Sequence, residues 1–247
     1  MTKDRIRAAA LPQAPKPKRV YTAVGVAVHD GGFAVVLDGR TAKTPKRRPL
    51  VLPTRALAEA VAAEWDAQQI HVDARAMPLT QIANTAIDGV AEAREAVIDA
   101  LHGHAAADLL CYRAAYPQNL AAAQAEAWQP LLDWAAAALG ARLRVTVGIV
   151  AVDQPQDSLA AIRDAFAAYD AWRLAAAQVL AGAFGSVVLA LAVVEGRIAA
   201  DRAFAASRLD ETHQAATWGE DAEAARRAAA IAREVEAAAA FAALAVG

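Results

Sequence analysis

Between Leu209 and Glu223 the chain sets its densest group of residues able to act on another molecule: Asp210, Glu211 and Gln214, then Trp218, Glu220, Asp221 and Glu223. Five carboxylates within fourteen residues, spread around an indole, could form an acidic rim about an aromatic anchor. That is the chemistry of docking a basic and apolar protein surface, because aromatics anchor interfaces and charges steer them. A plainer reading weighs equally: Glu220, Asp221 and Glu223 stand where a helix begins, and acids there complement its dipole. On a helix Asp210, Glu211 and Gln214 share one side while Leu209 faces the core.

Three weaker constellations accompany this one. His102 and His104 flank Gly103, with Asp108 four residues on, a donor set that a metal-dependent enzyme could use. Residues two apart on a helix point to different sides, so one ion reaches both imidazoles only if the helix ends at Gly103. Cys111 could pair with His213, yet Leu109, Leu110 and Tyr112 around it mark a buried, inert thiol. Lys43, Lys46, Arg47 and Arg48 form a basic turn that, with the basic arm of residues 1–19, could touch phosphates in a nucleic-acid-associated module, although no aromatic ladder accompanies them. Phosphate loops, dinucleotide fingerprints, nucleophile elbows and paired-His zinc helices are all absent from the 247 residues.

The elements that must position these residues change character along the chain. Tyr21, Val24, Val26 and Val28 lead into Asp30-Gly31-Gly32, and Phe33, Val35 and Leu37 lead into Asp38-Gly39, two hairpin turns. Further strands are expected over Arg40–Thr44 and Leu50–Leu52, which completes a small antiparallel meander. Thr54 caps a helix whose apolar face is Leu57, Val61 and Trp65. Met77-Pro78-Leu79 opens another, with a bend at Gly89, and Val97 and Leu101 line a third. Asp108–Arg113 reads as extended, Pro117 starts a helix that Pro130 must kink or restart, and Arg144–Val152 alternates like a strand. Helices are expected over 157–169, 171–181, 186–195, 200–216 and 221–243. The fold class is therefore α+β, a small β-rich N-terminal domain (20–150) followed by a mainly helical C-terminal bundle (151–247), with 1–19 a flexible basic arm.

Composition limits the function further. Lys and Arg number 25 against 27 Asp and Glu, so the chain is no basic wrapper of nucleic acid. The first 48 residues nevertheless carry net +8, which leaves −10 for the remainder. A single cysteine allows no intrachain disulfide and fits a reducing compartment. Leu174–Val194 is uncharged and as long as a membrane span, but Gly182, Gly185 and Ser186 cut it. Two short buried helices meeting at 181–186 are expected instead, with no membrane insertion. Ala8–Leu11 is too short for the apolar core of a secretory signal, so the expected compartment is the bacterial cytoplasm, with the mitochondrial matrix as alternative. With no long heptad pattern, a monomer is expected.

Several short motifs then fall in order. Leu37-Asp38-Gly39-Arg40 with Lys43-Thr44-Pro45 and Pro49-Leu50-Val51-Leu52-Pro53 resembles the ATP-twelve family of assembly chaperones for the alpha subunit of F-type ATP synthase. Glu64-Trp65-Asp66-Ala67-Gln68, Met77-Pro78-Leu79-Thr80, Asn84-Thr85-Ala86-Ile87-Asp88, Asp108-Leu109-Leu110-Cys111-Tyr112-Arg113 and the Leu209–Glu220 segment extend the resemblance from about residue 20 to 220. The resemblance implies a chaperone with neither cofactor nor catalysis, which holds the alpha subunit before the catalytic head closes. It also implies that acidic positions near the C-terminal end matter, with Glu211 and Glu220 the matching candidates. Asp210, Glu211, Gln214, Trp218 and Glu220 are thus the candidate partner-binding residues.

Overall fold

The computed structural model describes residues 16–219 and 221–246. Strands β1 (Val24–His29) and β2 (Gly32–Leu37) form an antiparallel hairpin in which Val26 faces Val35. β2 also pairs with β3 (Arg40–Thr41) and β4 (Val51–Leu52), so it is the centre of the four-stranded sheet. Gly32, at φ 151°, has no alternative residue: a Cβ there would collide with the Leu52 carbonyl of the neighbouring strand. The strand expected over Arg40–Thr44 ends early, because Thr44 turns the chain and accepts the Arg47 N–H at 2.8 Å.

Helix α1 (Arg55–Asp66) begins at Thr54, whose hydroxyl accepts from the Leu57 N–H at 3.1 Å. Leu57, Ala58 and Val61 are completely buried, the face that the i, i+4 spacing requires. A 3₁₀ turn, Ala74–Ala76, precedes α2 (Pro78–Thr85), and a wide π turn over Ala86–Val90 contains Gly89 and leads into α3 (Ala91–Ala105). Asp108–Arg113 is a 3₁₀ turn at Leu109–Cys111 followed by the two-residue strand β5 (Tyr112–Arg113). α4 (Gln118–Trp134) carries Pro130 inside it without breaking, then widens into a π turn that Gly140 closes in the left-handed region. Where sequence alternation suggested a strand over Arg144–Val152, only β6 (Thr146–Val147) forms, parallel to β5. β5 offers nothing further to pair with, since the next amide, Ala114, donates to the Gln124 side chain at 2.7 Å.

The rest is helical: α5 (Gln156–Ala167), α6 (Ala171–Phe184), α7 (Val187–Val194), α8 (Ala200–Ser207), α9 (Leu209–Trp218) and α10 (Ala222–Leu244). The apolar run once eligible as a membrane span is α6 and α7, broken where Gly185 adopts φ 65° and Ser186 caps the second helix. Among the described residues no helix is long and apolar enough to cross a membrane. One contiguous core runs from Val35 of β2 through α1, α6 and α7 to Phe241 of α10. The Thr54 hydroxyl donates to the Leu244 carbonyl at 2.5 Å and so joins the start of α1 to the end of α10. Residues 1–15 of the basic arm lie outside the described residues. Its last residues run beside 70–73: Arg19 N–H donates to the Ile70 carbonyl at 3.0 Å and Val72 N–H to the Pro17 carbonyl at 2.8 Å.

Carboxylates tie these elements together. Asp108, wholly buried, accepts from the Val188 N–H at 3.1 Å, the Ser186 hydroxyl at 2.8 Å and the Leu110 N–H at 3.0 Å. Glu64 on α1 accepts from the N–H groups of Leu79 and Thr80, both at 2.8 Å, and so closes the start of α2. Burial raises the carboxyl value of both, against the opposing pull of these hydrogen bonds.

Asp108→Ala should destabilise the fold by about 3 kcal/mol, seen as a lowered denaturant midpoint, because three buried donors lose their acceptor. Glu64 gives a pH test. Its folded value lies above the unfolded one, so its contribution is fully present below the ordinary carboxyl range and is lost as pH rises through the raised value. Relative to Glu64→Gln, the parent should lose stability as pH rises upward from the ordinary carboxyl range; a gain on that rise would contradict the burial-dominated shift.

Candidate protein-docking site

Residues 200–216 read as one helix in sequence, but the chain breaks at Arg208 (φ −116°, ψ 19°) into α8 and α9. No glycine or proline marks the break. One local and one tertiary contact accompany it: the Ser207 hydroxyl turns back to the Phe204 carbonyl at 2.8 Å within α8, and the Arg208 guanidinium donates to the Ala183 carbonyl at 3.2 Å. No residue of α9 is buried, and only Leu209 packs, partly covered, against the core.

The carboxylates of this region divide into different tasks. Asp210 turns inward and accepts from the Gln124 side-chain amide at 2.8 Å. Gln124 is 1% exposed; its amide oxygen holds the Ala114 N–H, while its backbone carbonyl accepts from Arg113 at 2.5 Å. Arg113 in turn lies 5.0 Å over the Trp128 ring, and the Trp128 indole N–H donates to the Ala206 carbonyl at 2.8 Å. Asp210 is therefore a strut that seats α9 on α4, and Asp210, Glu211 and Gln214 do not present one shared outward face. Glu211 and Gln214 are exposed, and Glu211 pairs with Arg208 at 2.8 Å. Trp218, in the last turn of α9, is 84% exposed. Glu220 lies outside the described residues.

Asp221 and Glu223 satisfy the plainer reading. Asp221 is the N-cap of α10 and accepts from the Glu223 N–H at 3.0 Å, and Glu223 pairs with Arg227 four residues on. The acidic rim thus shrinks to Glu211, two turns before the open indole and paired with Arg208, with the neutral Gln214 one turn before it.

The other constellations are occupied by the fold. Asp108 serves α7, apart from any ligand role, and among the described residues no group of three His, Cys, Asp or Glu could hold a metal. Burial pushes the Cys111 thiol up to about 12, which removes the thiolate a nucleophile needs. Within the basic turn, Lys46 reaches Glu92 at 2.5 Å, Arg48 pairs with the same carboxylate, and Asp88 accepts the Lys46 N–H at 3.0 Å. Sequence reasoning missed Gln124 altogether and placed Arg113 only within a family motif, because a buried glutamine and arginine carry no periodic signal.

The comparisons decide the family. A family model described as ATP12 chaperone protein matches residues 18–136. The crystal structure of Atp12 from Paracoccus denitrificans is 44% identical, with a TM-score of 0.88 over 93% of this chain and 98% of that one. The chain belongs to the ATP12 chaperone family. An aspartate-to-lysine mutant of the Paracoccus protein matches equally, and a protein of Agrobacterium tumefaciens is 42% identical, with a TM-score of 0.89 over 94% of this chain and 87% of that one. The mitochondrial protein atp12 of Schizosaccharomyces pombe is 28% identical over 221 residues, 85% of this chain and 76% of that protein. Within the segment matched by the family model, Glu64, Asp88, Asp108 and Gln124 all serve as internal ties, whereas the open side of α9 lies beyond it.

Two substitutions separate strut from surface. Gln124→Leu should lower stability by about 2 kcal/mol, since it strands both the Ala114 amide and the Asp210 carboxylate. Trp218→Ala should leave the melting temperature nearly unchanged, within about 0.5 kcal/mol, as exposed substitutions do.

Proposed function

We propose that this chain binds the unassembled alpha subunit of F-type ATP synthase and promotes assembly of the catalytic head, acting by docking and not by catalysis. The observation that carries the reading is Trp218, an indole 84% exposed on a helix with no buried residue, two turns after the outward Glu211. Tryptophan is among the residues enriched at the energetic centres of interfaces, which makes an open one a fitting anchor. A chaperone must bind and later release, which favours a modest interface with a charged rim over a large apolar one. Trp218 then acts as anchor, Glu211, Gln214 and Glu220 as the polar edge, and Asp210 as the group that seats the helix. Family membership supports the chaperone role. The alpha subunit as partner is what the resemblance implies, and a monomer in the bacterial cytoplasm is the expectation from the sequence pattern. Neither alternative gains from the structure, since Asp108 is enclosed and Lys46 and Arg48 already face Glu92.

The test is capture of purified alpha subunit by the full-length chain. Trp218→Ala combined with Glu211→Lys and Glu220→Lys should weaken capture at least about tenfold, the effect of losing one aromatic hot spot with its steering charges. Unchanged capture by a variant that melts like the parent overturns this assignment of the site.

A further inference from the structure

A second exposed surface lies at the opposite pole of chemistry from α9. Among the described residues ten large apolar side chains stay exposed, and five of them, Tyr116, Val145, Val147, Ile149 and Val150, belong to the short segments around β5 and β6. Ile149 is 98% exposed and Tyr116 82%. Val145 and Val147 point to solvent while Thr146 between them is half-buried, the alternation of a strand with one open face.

The backbone is open as well. The parallel pairing places Tyr112 beside Thr146 and Arg113 beside Val147, with Gly148 N–H donating to the Arg113 carbonyl at 2.8 Å. That geometry spends the polar groups of Thr146 and Gly148 on β5 and turns those of Val145 and Val147 outward. The edge is held firmly: Gln154, 6% exposed, accepts from the Arg144 N–H at 2.7 Å and donates to the Arg144 carbonyl at 3.0 Å. No proline occurs over 140–152, and no acidic residue over 112–118 or 140–152. Arg142 and Arg144 instead stand exposed at its entry; among the described residues neither pairs with a carboxylate, and the Arg144 guanidinium donates to the Asp153 carbonyl at 3.3 Å.

We propose that the outer edge of β6 receives an extended segment of the client polypeptide, apolar at alternate positions and acidic at its flanks, as an added strand. The proposal rests on the client reading above and deepens it. Main-chain hydrogen bonds to Val145 and Val147 supply affinity, the Tyr116, Val147, Ile149 and Val150 side chains supply apolar contact, and Arg142 and Arg144 select the acidic flank. Continuity with α9 supports one client for both surfaces. The Gln124 side chain holds Ala114, the residue after β5, with its oxygen and Asp210 of α9 with its nitrogen. β5, on which β6 pairs, and α9 are therefore seated on the same buried amide, and a client bound across both would meet a basic apolar strip and the Glu211 and Trp218 side of α9.

The experiment uses the full chain and a fluorescent peptide in which valine alternates with threonine and glutamate closes each end. Saturable binding is expected, weakened about tenfold by Val147→Asp with Ile149→Asp, the loss of roughly one well-buried apolar contact. Both side chains are exposed, so the double variant should melt like the parent. Methylating one alternate set of peptide amides should abolish binding and methylating the other should spare it; equal effects would refute strand pairing. Equal binding by the double variant, or by a peptide closed with lysine, overturns the proposal. So does a parent dimer that the variant converts to monomer in sedimentation while no peptide binds. Charge reversal on α9 that spares alpha-subunit capture would sink the α9 assignment and leave this edge standing if peptide binding is still lost in the double variant.

Discussion

Helix α7 sets the constraint on which the rest depends. Val187 to Ala192 are each fully buried, so the helix is apolar on every side and has no solvent face to which its terminal amides can turn. A buried helix start without acceptors would leave orphan donors at a cost comparable to the stability of a small domain. Asp108 resolves this by reaching in from a segment 80 residues earlier to accept the Val188 N–H and the Ser186 hydroxyl. Placing a carboxylate where no water reaches it is itself unfavourable, which is why burial drives its proton affinity upward. The two penalties offset only when they meet, so the 3₁₀ turn at Leu109–Cys111 and the break between α6 and α7 must fold against each other.

Elsewhere the molecule repeats this device with less burial. Glu64 closes α2 from α1, Asp88 holds the turn at Thr44 and Lys46 from the π turn, and Gln124 seats α9 on α4 through Asp210. Each tie spans elements that are short and rich in alanine, which contributes little apolar area per residue. In such a chain polar crosslinks fix what apolar packing leaves loose. The motifs that carry the family resemblance, from Glu64 to Asp108, are largely these crosslinks, so the resemblance marks an architecture before it marks a contact surface.

How much was legible follows from the same distinction. Local signals were read correctly where backbone chemistry decides: the Asp30-Gly31 hairpin, Thr54 as a cap, and the interruption of the apolar run at Gly185 and Ser186. The reading failed where a distant residue decides. At the end of α8 Arg208 reaches Ala183, a carbonyl 25 positions away, and β6 stops after two residues because Gln124 has already taken the Ala114 amide. The candidate site was half visible for the same reason. Trp218 and Glu211 stand open as the acidic cluster suggested, whereas Asp210, indistinguishable from Glu211 in sequence, is claimed by a buried glutamine. The apolar alternation of Val145, Val147 and Ile149 was on view throughout, but only the three-dimensional arrangement shows that it faces solvent and not the core.

A protein that holds another chain before assembly faces opposed demands, since the surface must attract apolar partners without attracting copies of itself. Separating the attractions by sign is one physical solution. The open side of α9 carries an indole with the Glu211 carboxylate, and the β6 edge carries aliphatic side chains with Arg142 and Arg144. Two copies meeting through like patches would oppose charges of the same sign, which disfavours a two-fold contact through either one. Heterologous contact between unlike patches stays open on that argument, and the exposure of both on one molecule means that only geometry restrains it. Gln124 supplies the geometry: it seats β5 and α9 against the same helix, so the two patches keep a fixed spacing that a client can match and that a rigid second copy must match with its own fixed spacing. Selectivity for a client over self then rests on the rigidity of one buried amide more than on the strength of either patch.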